Sequence, residues 1–170
     1  MKNSRKIYLW VLSALFAALT FVFTAFFKVP IVSGQGYVHF GDTVIYLCAS
    51  TLPLPFALVS SAVAGALSDI LGGYPIWAPA TFIIKALLTV GFTSKGKYIC
   101  RKNILACVFA VFITVFGYYA AEAIIYSNIV SPVYSVLWNF LQAVCSFVLY
   151  FIIGTIFDKI KIKNHIEGRN

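Results

Sequence analysis

The sequence is poor in charge, and above all in acidic residues. Only 11% of its 170 residues are charged, and five acids stand against 13 lysines and arginines. Hydrophobic residues make up 61% of the chain, and the mean hydropathy is +0.92. In ordinary soluble domains about a quarter of the residues are charged. The composition therefore indicates a protein whose solvent is a lipid bilayer.

The sequence also lacks the residue patterns on which most catalytic and metal sites depend. It has two histidines and four cysteines, and it contains no CxxC, HExxH or GxSxG motif. The segment GFTSKGKY at 91–98 begins like a phosphate-binding loop, but a tyrosine stands where the magnesium-binding serine or threonine belongs. We therefore predict no enzyme activity, no metal site and no cofactor.

The positive charge is concentrated in three short parts of the chain. Lysine and arginine cluster at 2–6, 95–102 and 159–169. A nucleic-acid-binding protein presents a basic face or stripe, and these clusters do not form one along any predicted element. Membrane proteins retain lysine and arginine in their cytoplasmic loops. The clusters therefore indicate membrane topology, and we predict no nucleic-acid binding.

The number of membrane spans follows from the apolar runs between these clusters. The run at 43–71 contains Pro53 and Pro55, which disfavour a continuous helix. Dividing it there places all three basic clusters on the cytoplasmic side, whereas one kinked helix would place residues 95–102 outside. We predict an all-α integral membrane protein with both termini in the cytoplasm. Its single membrane domain, residues 1–170, would have six spans, at about 7–27, 43–52, 56–71, 78–92, 104–126 and 133–157.

The polar residues of the predicted spans lie toward the outer surface. An ionisable group inside a bilayer is costly, so each one calls for a function or a partner. Lys85 lies about 10 Å below the outer surface, at 1.5 Å per residue. We expect a substrate site that opens outward and is closed below. Its predicted residues come from the spans and from the loop at 28–42: Tyr37, His39, Asp42, Asp69, Trp77, Lys85, Tyr118, Glu122, Trp138, Asn139 and Gln142.

Two of these residues could have a structural role in place of a substrate-binding one. Lys85 can instead pair with Asp69 or Glu122 in a buried salt bridge. Asp42 can instead cap the helix that begins at Thr43. Both alternatives remain open at this point.

The aromatic residues of the predicted site favour a flat heterocycle as the ligand. Tryptophan and tyrosine rings stack on such a ring, while amide and charged side chains read its edge. A pyrimidine precursor of thiamine, thiamine itself, riboflavin and a pyridoxine-type ring all satisfy this description.

A second surface lies on the first span. Ala14 and Ala18 are spaced so that another helix can approach closely. Packing inside the protein and docking of an external partner explain this spacing equally well.

The segments GYVHFGDTVIYL at 36–47 and GALSDILGGYPIWAPATFIIKAL at 65–87 resemble the S components of energy-coupling factor (ECF) vitamin transporters. The resemblance is to the riboflavin and hydroxymethylpyrimidine group and covers residues 14–158. It implies a substrate-binding subunit in the bacterial cell membrane that captures a B vitamin or a precursor from outside.

The resemblance also implies partners and a transport cycle. The subunit would dock through Ala14 and Ala18 on a membrane T component that two ATPases drive. It would topple in the membrane to release its substrate, with the first outer loop as a lid. The alternative function is a stand-alone secondary transporter of a small heterocycle, but no internal repeat and no polar path through the membrane are evident.

Overall fold

The computed structural model describes residues 2–30 and 37–167, and this part of the chain is mainly helical. Its helices are α1 (Lys2–Ala25), α2 (Gly41–Thr51), α3 (Leu54–Leu71), α4 (Ala78–Leu87), α5 (Arg101–Ile125), α6 (Val133–Lys159) and α7 (Ile162–Glu167). Among the described residues, α1, α3, α5 and α6 are long and apolar enough to cross a membrane.

The two shorter apolar helices do not reach that length. α2 has 11 residues and α4 has 10, so each covers about half of the hydrocarbon thickness at about 1.5 Å per residue. The structure therefore confirms a mostly helical protein with four candidate membrane spans among the described residues. The count of six spans and the side of the termini stay predictions.

The proline-containing run at 43–71 forms two helices. Leu52 and Pro53 are both extended, with ψ angles of 152° and 145°. Pro55 lies in the first turn of α3, where its missing N–H costs no helical hydrogen bond. The chain therefore turns between Thr51 and Leu54.

Helix α4 ends at Leu87, whereas the apolar run predicted a span that continues to residue 92. The N–H groups of Thr89 and Val90 donate to the carbonyls three residues back, at 3.1 and 3.0 Å. Gly91 then adopts a φ of +92°, which glycine tolerates and other residues do not. The last apolar residues of the run therefore form a tight turn and do not extend α4.

A short β-hairpin joins α1 to α2, although the sequence analysis expected an all-α chain. Its strands β1 (Lys28–Pro30) and β2 (Tyr37–His39) are antiparallel, with Lys28 opposite His39. Three residues in each strand are too few to show an alternating pattern. Residues 31–36, which belong to the outer loop that the resemblance implies is a lid, lie outside the described residues.

The end of the bundle that carries the basic loop is filled by a polar network. Asn103 is fully buried. Its amide donates to the carbonyls of Tyr98 and Thr93 at 3.0 and 3.2 Å and accepts from the Thr93 N–H at 2.8 Å. The Asp158 carboxylate accepts the N–H groups of Tyr98 and Ile99 at 2.7 and 2.9 Å. These bonds tie the loop before α5 to the end of α6.

Large apolar side chains face outward along the long helices. Val11 on α1 is 61% exposed, Phe109 on α5 is 68% exposed, and Ile152 on α6 is 50% exposed. A soluble monomer rarely exposes contiguous apolar surface of this kind. The outer faces of the bundle are therefore suited to contact with lipid.

Candidate ligand-binding site

A cavity lies at the opposite end of the bundle from the basic loop. Helix α5 begins in that loop at Arg101 and reaches the cavity at Tyr118 and Glu122. The empty volume of the cavity, including its open mouth, is about 620 Å³. Its walls come from α1, the hairpin, α3, the segment between α3 and α4, and α4 to α6: Thr24, His39, Gly65, Asp69, Tyr74, Trp77, Thr81, Lys85, Tyr118, Glu122, Ser135, Asn139 and Gln142.

Most of the side chains that the sequence analysis selected lie around this cavity. Those on its walls are His39, Asp69, Trp77, Lys85, Tyr118, Glu122, Asn139 and Gln142. Asp42 is fully buried behind the wall. The backbone of Tyr37 belongs to β2, but its side chain lies outside the described part of the structure. The cavity places these groups together, and their role in substrate binding stays a prediction.

Trp138 is not among the described residues that line the cavity. Helix α6 presents Ser135, Asn139 and Gln142 to it, at spacings of four and three residues that form one stripe. Trp138 is half-buried beside that stripe. Its role as a ligand contact therefore stays a prediction.

Sequence reasoning missed five lining residues, and helical periodicity offered a signal for two of them. Thr81 precedes Lys85 by one turn of α4, and Ser135 precedes Asn139 by one turn of α6. The other three are Thr24, Gly65 and Tyr74. They reach the cavity through the packing of separate helices and loops, which no local pattern encodes.

The central contact of the site is a buried ion pair between α4 and α2. Lys85 Nζ lies 2.6 Å from Asp42 Oδ1, and both side chains are almost fully buried. The partners that we had considered for Lys85 were Asp69 and Glu122. The structure corrects this, because the Lys85 side chain extends past Gly65 of α3 and reaches Asp42 on α2. Asp42 makes no side-chain cap on α2, so its capping role was also wrong.

The ammonium group of Lys85 reaches this position because the helices approach closely at Gly65. A Cβ atom at Gly65 would lie 2.6 Å from Lys85 Cγ and 3.0 Å from Thr81 Cγ2. Real carbon atoms do not come so close, so any larger residue on α3 would displace the lysine stem. Nζ also lies 5.2 Å from the centre of the Tyr118 ring, a favourable distance for a cation.

The ion pair is connected to α6 and to the hairpin through one amide. Gln142 Nε2 donates to Asp42 Oδ2 at 2.9 Å, and Gln142 Oε1 accepts the N–H of His39 at 3.1 Å. His39 Nδ1 accepts the N–H of Gly41 at 3.1 Å. Lys85, Asp42, Gln142 and His39 therefore form one chain of contacts beneath and beside the cavity.

His39 takes part in this chain as a neutral group. Burial lowers the pKa of His39 to about 3, the charge of Lys85 acts in the same direction, and Asp42 offsets part of the effect. The imidazole is therefore uncharged at neutral pH, in agreement with Nδ1 as a hydrogen-bond acceptor.

The remaining walls combine aromatic rings with polar edges. The rings of Trp77 and Tyr118 are 6.3 Å apart between centres and tilted by 52°. The Ser135 hydroxyl donates to Glu122 Oε2 and holds that carboxylate on the wall. No group of three or more metal-binding side chains occurs among the described residues. This arrangement suits the binding of a flat polar molecule.

Three comparisons with known proteins bear on this site. Residues 4–165 match a family described as "ECF-type riboflavin transporter, S component". A protein of Pyrococcus woesei, described as "Uncharacterized protein in gap 3'region", is 34% identical over 107 residues, which are 62% of this chain and 72% of that protein. A structure described as "Structure and mechanism of the S component of a bacterial ECF transporter" superposes with a TM-score of 0.66 at 18% identity, over 94% of this chain and 98% of that one. At that identity the superposition shows the fold.

Breaking the Lys85–Asp42 pair is expected to destabilise the protein. Either single variant, Lys85→Met or Asp42→Asn, should lower the free energy of unfolding by about 3–5 kcal/mol, because it leaves the other residue of the pair buried without its partner. The double variant should recover much of that loss, because neither charge then remains. Thermal unfolding in detergent measures these effects, with Lys95→Met on an exposed loop residue as the control. A double variant as unstable as the sum of the single variants would contradict the assigned pair.

Proposed function

Because the chain belongs to the family of S components of ECF-type riboflavin transporters, we propose that its cavity captures a flat heterocyclic vitamin or vitamin precursor for uptake into the cell. Membership of this family makes the chain a membrane transport protein and not an enzyme. The observation that carries the proposal is the cavity, in which aromatic and polar side chains from seven parts of the chain meet.

The chemistry of the walls supports a heterocycle. Trp77 and Tyr118 offer ring faces for stacking, and Asn139 offers both donors and acceptors to the edge of a ring. The candidates are a pyrimidine precursor of thiamine, thiamine, riboflavin and a pyridoxine-type ring, and the family description favours the inclusion of riboflavin among them.

The proposed orientation places the cavity at the outer surface of the cell membrane. Six spans, with α2 and α4 as the two short ones, leave both termini in the cytoplasm. The basic loop at 95–102 lies at the opposite end of α5 from the cavity. Positively charged loops are retained on the cytoplasmic side, which supports an outward-facing site.

The proposed partners are a T component and two ATPases. Ala14 and Ala18 are exposed on α1. An apolar groove between α1 and α3 continues this surface, lined by Ala17, Ala18, Phe21, Ala64, Leu67 and Leu71. Small residues let a partner helix approach closely, which supports docking at this surface. The chain itself has no ATPase motif, so the energy for uptake would come from those partners.

Native mass spectrometry tests ligand capture. Protein purified from cells grown in rich medium is expected to retain one heterocyclic molecule. Asn139→Ala should weaken the binding of that molecule by about 1–3 kcal/mol, because a buried edge group loses its partner. Asn164→Ala, on an exposed residue of α7, is the control and should leave affinity unchanged. Recovery of a lipid or a peptide in place of a heterocycle would contradict the proposal.

Cysteine labelling on intact cells tests the orientation. In a background without native cysteines, Asn128→Cys should react with a membrane-impermeant reagent from outside, and Lys97→Cys should react only after permeabilisation. Both residues are exposed, so lack of reaction would reflect their side of the membrane and not burial. Labelling of residue 97 from outside would refute the six-span arrangement.

Co-purification tests the docking surface. Ala14→Trp or Ala18→Trp should abolish recovery of the T component and ATPases from a host that supplies them, because a bulky side chain prevents close helix approach. Ligand affinity should not change, since neither alanine lines the cavity. Leu105→Trp, at a residue that is 65% exposed on α5, is the control. Full transport without any partner would instead indicate a stand-alone secondary transporter.

A further inference from the structure

Four buried hydroxyl groups form a layer across the interior of the bundle. None of them has a hydrogen-bond partner among the described residues, and each lies on a different helix: Tyr46 on α2, Ser61 on α3, Thr114 on α5 and Ser146 on α6. All four residues are at most 1% exposed. A buried hydroxyl without a partner is costly, and most buried polar groups in proteins are hydrogen-bonded. Four such groups therefore call for a shared explanation.

The layer lies directly beneath the Lys85–Asp42 pair. Helices α2 and α6 lead away from the cavity, whereas α3 and α5 lead toward it. Each hydroxyl lies four residues from a residue in contact with Lys85 or Asp42, on the side away from the cavity: Tyr46 from Asp42, Ser61 from Gly65, Thr114 from Tyr118 and Ser146 from Gln142. Residues four apart are neighbours on one helix face, separated by about 6 Å along the axis.

Other serines and threonines in the helices of this chain satisfy themselves. A helical hydroxyl can donate to the carbonyl three or four residues back. Those that do so, with bonds of 2.7–2.8 Å, belong to Ser13, Thr51, Ser68, Thr89 and Thr155. Ser61, Thr114 and Ser146 make no such bond. Their hydroxyls therefore remain open to another partner.

The contact between α2 and α6 shows where that partner fits. Above the layer, the Gln142 amide donates to the carboxylate of the ion pair, and below the layer Ser50 and Tyr150 share a hydrogen bond of 2.7 Å. Tyr46 and Ser146 lie midway between these two bonds, four residues from each along their helices. A small molecule that both donates and accepts would continue the row of bonds at the level where the two side chains do not join.

Water is the ligand whose chemistry suits this layer. Hydroxyl groups both donate and accept, and a buried water forms about three hydrogen bonds to such groups. A cation is disfavoured, because the ammonium group of Lys85 lies one turn above and the four residues supply no carboxylate to compensate. In the part of the chain that the structure describes, no group of three or more metal-binding side chains occurs.

We propose that this layer is a buried water site, in which ordered water joins the hydroxyls of Tyr46, Ser61, Thr114 and Ser146 beneath the Lys85–Asp42 pair. The water also solvates the pair from below and so reduces the cost of burying its two charges. The inference holds for any ligand in the cavity above, because it concerns the floor of the site and not its walls.

The sign of a stability change tests the inference. Tyr46→Phe and Thr114→Val each keep the shape of the side chain and remove its hydroxyl. If that hydroxyl binds water, each variant should lower the midpoint of thermal unfolding in detergent by about 2–4 °C. If the hydroxyl has no partner at all, its removal should raise the midpoint, because a costly buried group is lost.

Thr89→Val is the matched control. Thr89 is 1% exposed and follows Lys85 by four residues, at the level of the layer, but its hydroxyl donates to the carbonyl of Ala86 at 2.7 Å. Its removal should therefore shift the midpoint less than Tyr46→Phe or Thr114→Val does. A rise in the midpoint of those two variants, or a fall no larger than that of the control, would overturn the inference.

Two further measurements identify the ligand. An experimental structure that resolves ordered water should show it within hydrogen-bond distance of at least two of the four hydroxyls. Hydroxyls that have all turned to backbone carbonyls would overturn the inference. Replacing sodium with choline in the unfolding buffer should leave the midpoint unchanged. A midpoint that depends on sodium in the native chain, but not in Thr114→Val, would instead show a cation site and would also overturn it.

Discussion

The geometry of the site depends on the buried pair of Lys85 and Asp42. A lone ammonium group or carboxylate at this depth would be prohibitively costly, so each residue requires the other. Through this pair α4 is fixed against α2, and the Gln142 amide extends the contact to α6 and the hairpin. Gly65 on α3 leaves the space for the lysine stem. The same contact that orders the cavity also neutralises the one lysine among its described lining residues.

The two ends of the helix bundle differ, and the difference suits the capture of a ligand at one end more than the passage of a solute through the bundle. At the basic end, Asn103 and Asp158 form hydrogen bonds with backbone groups of the loop before α5. At the other end, polar and aromatic side chains surround a cavity. A protein built in this way can hold a ligand near one surface, but transfer to the other side requires movement of the whole subunit or the action of a partner. This agrees with the proposed dependence on a T component and ATPases.

The sequence predicted those features that local chemistry determines. Apolar runs gave the long helices, and Pro53 and Pro55 gave the turn between α2 and α3, because both signals act within a few residues. The cost of polar groups in a bilayer identified Lys85 and Glu122 as members of one site. The partner of Lys85 was not predictable, because Asp42 lies 43 residues away and meets it only through the tertiary arrangement of the bundle. The hairpin was missed for the same reason: it depends on tertiary arrangement and not on a repeated pattern.

The account is tested most directly by an experimental structure of the protein with the ligand that it retains from cells. The expected result is a flat ring in the cavity, in contact with Trp77 and Asn139, with Lys85 still paired to Asp42. Two results would contradict the account. One is a ligand bound elsewhere, for example in the groove beside Ala17 and Ala18. The other is a Lys85 side chain that has left Asp42 to bind an anionic ligand.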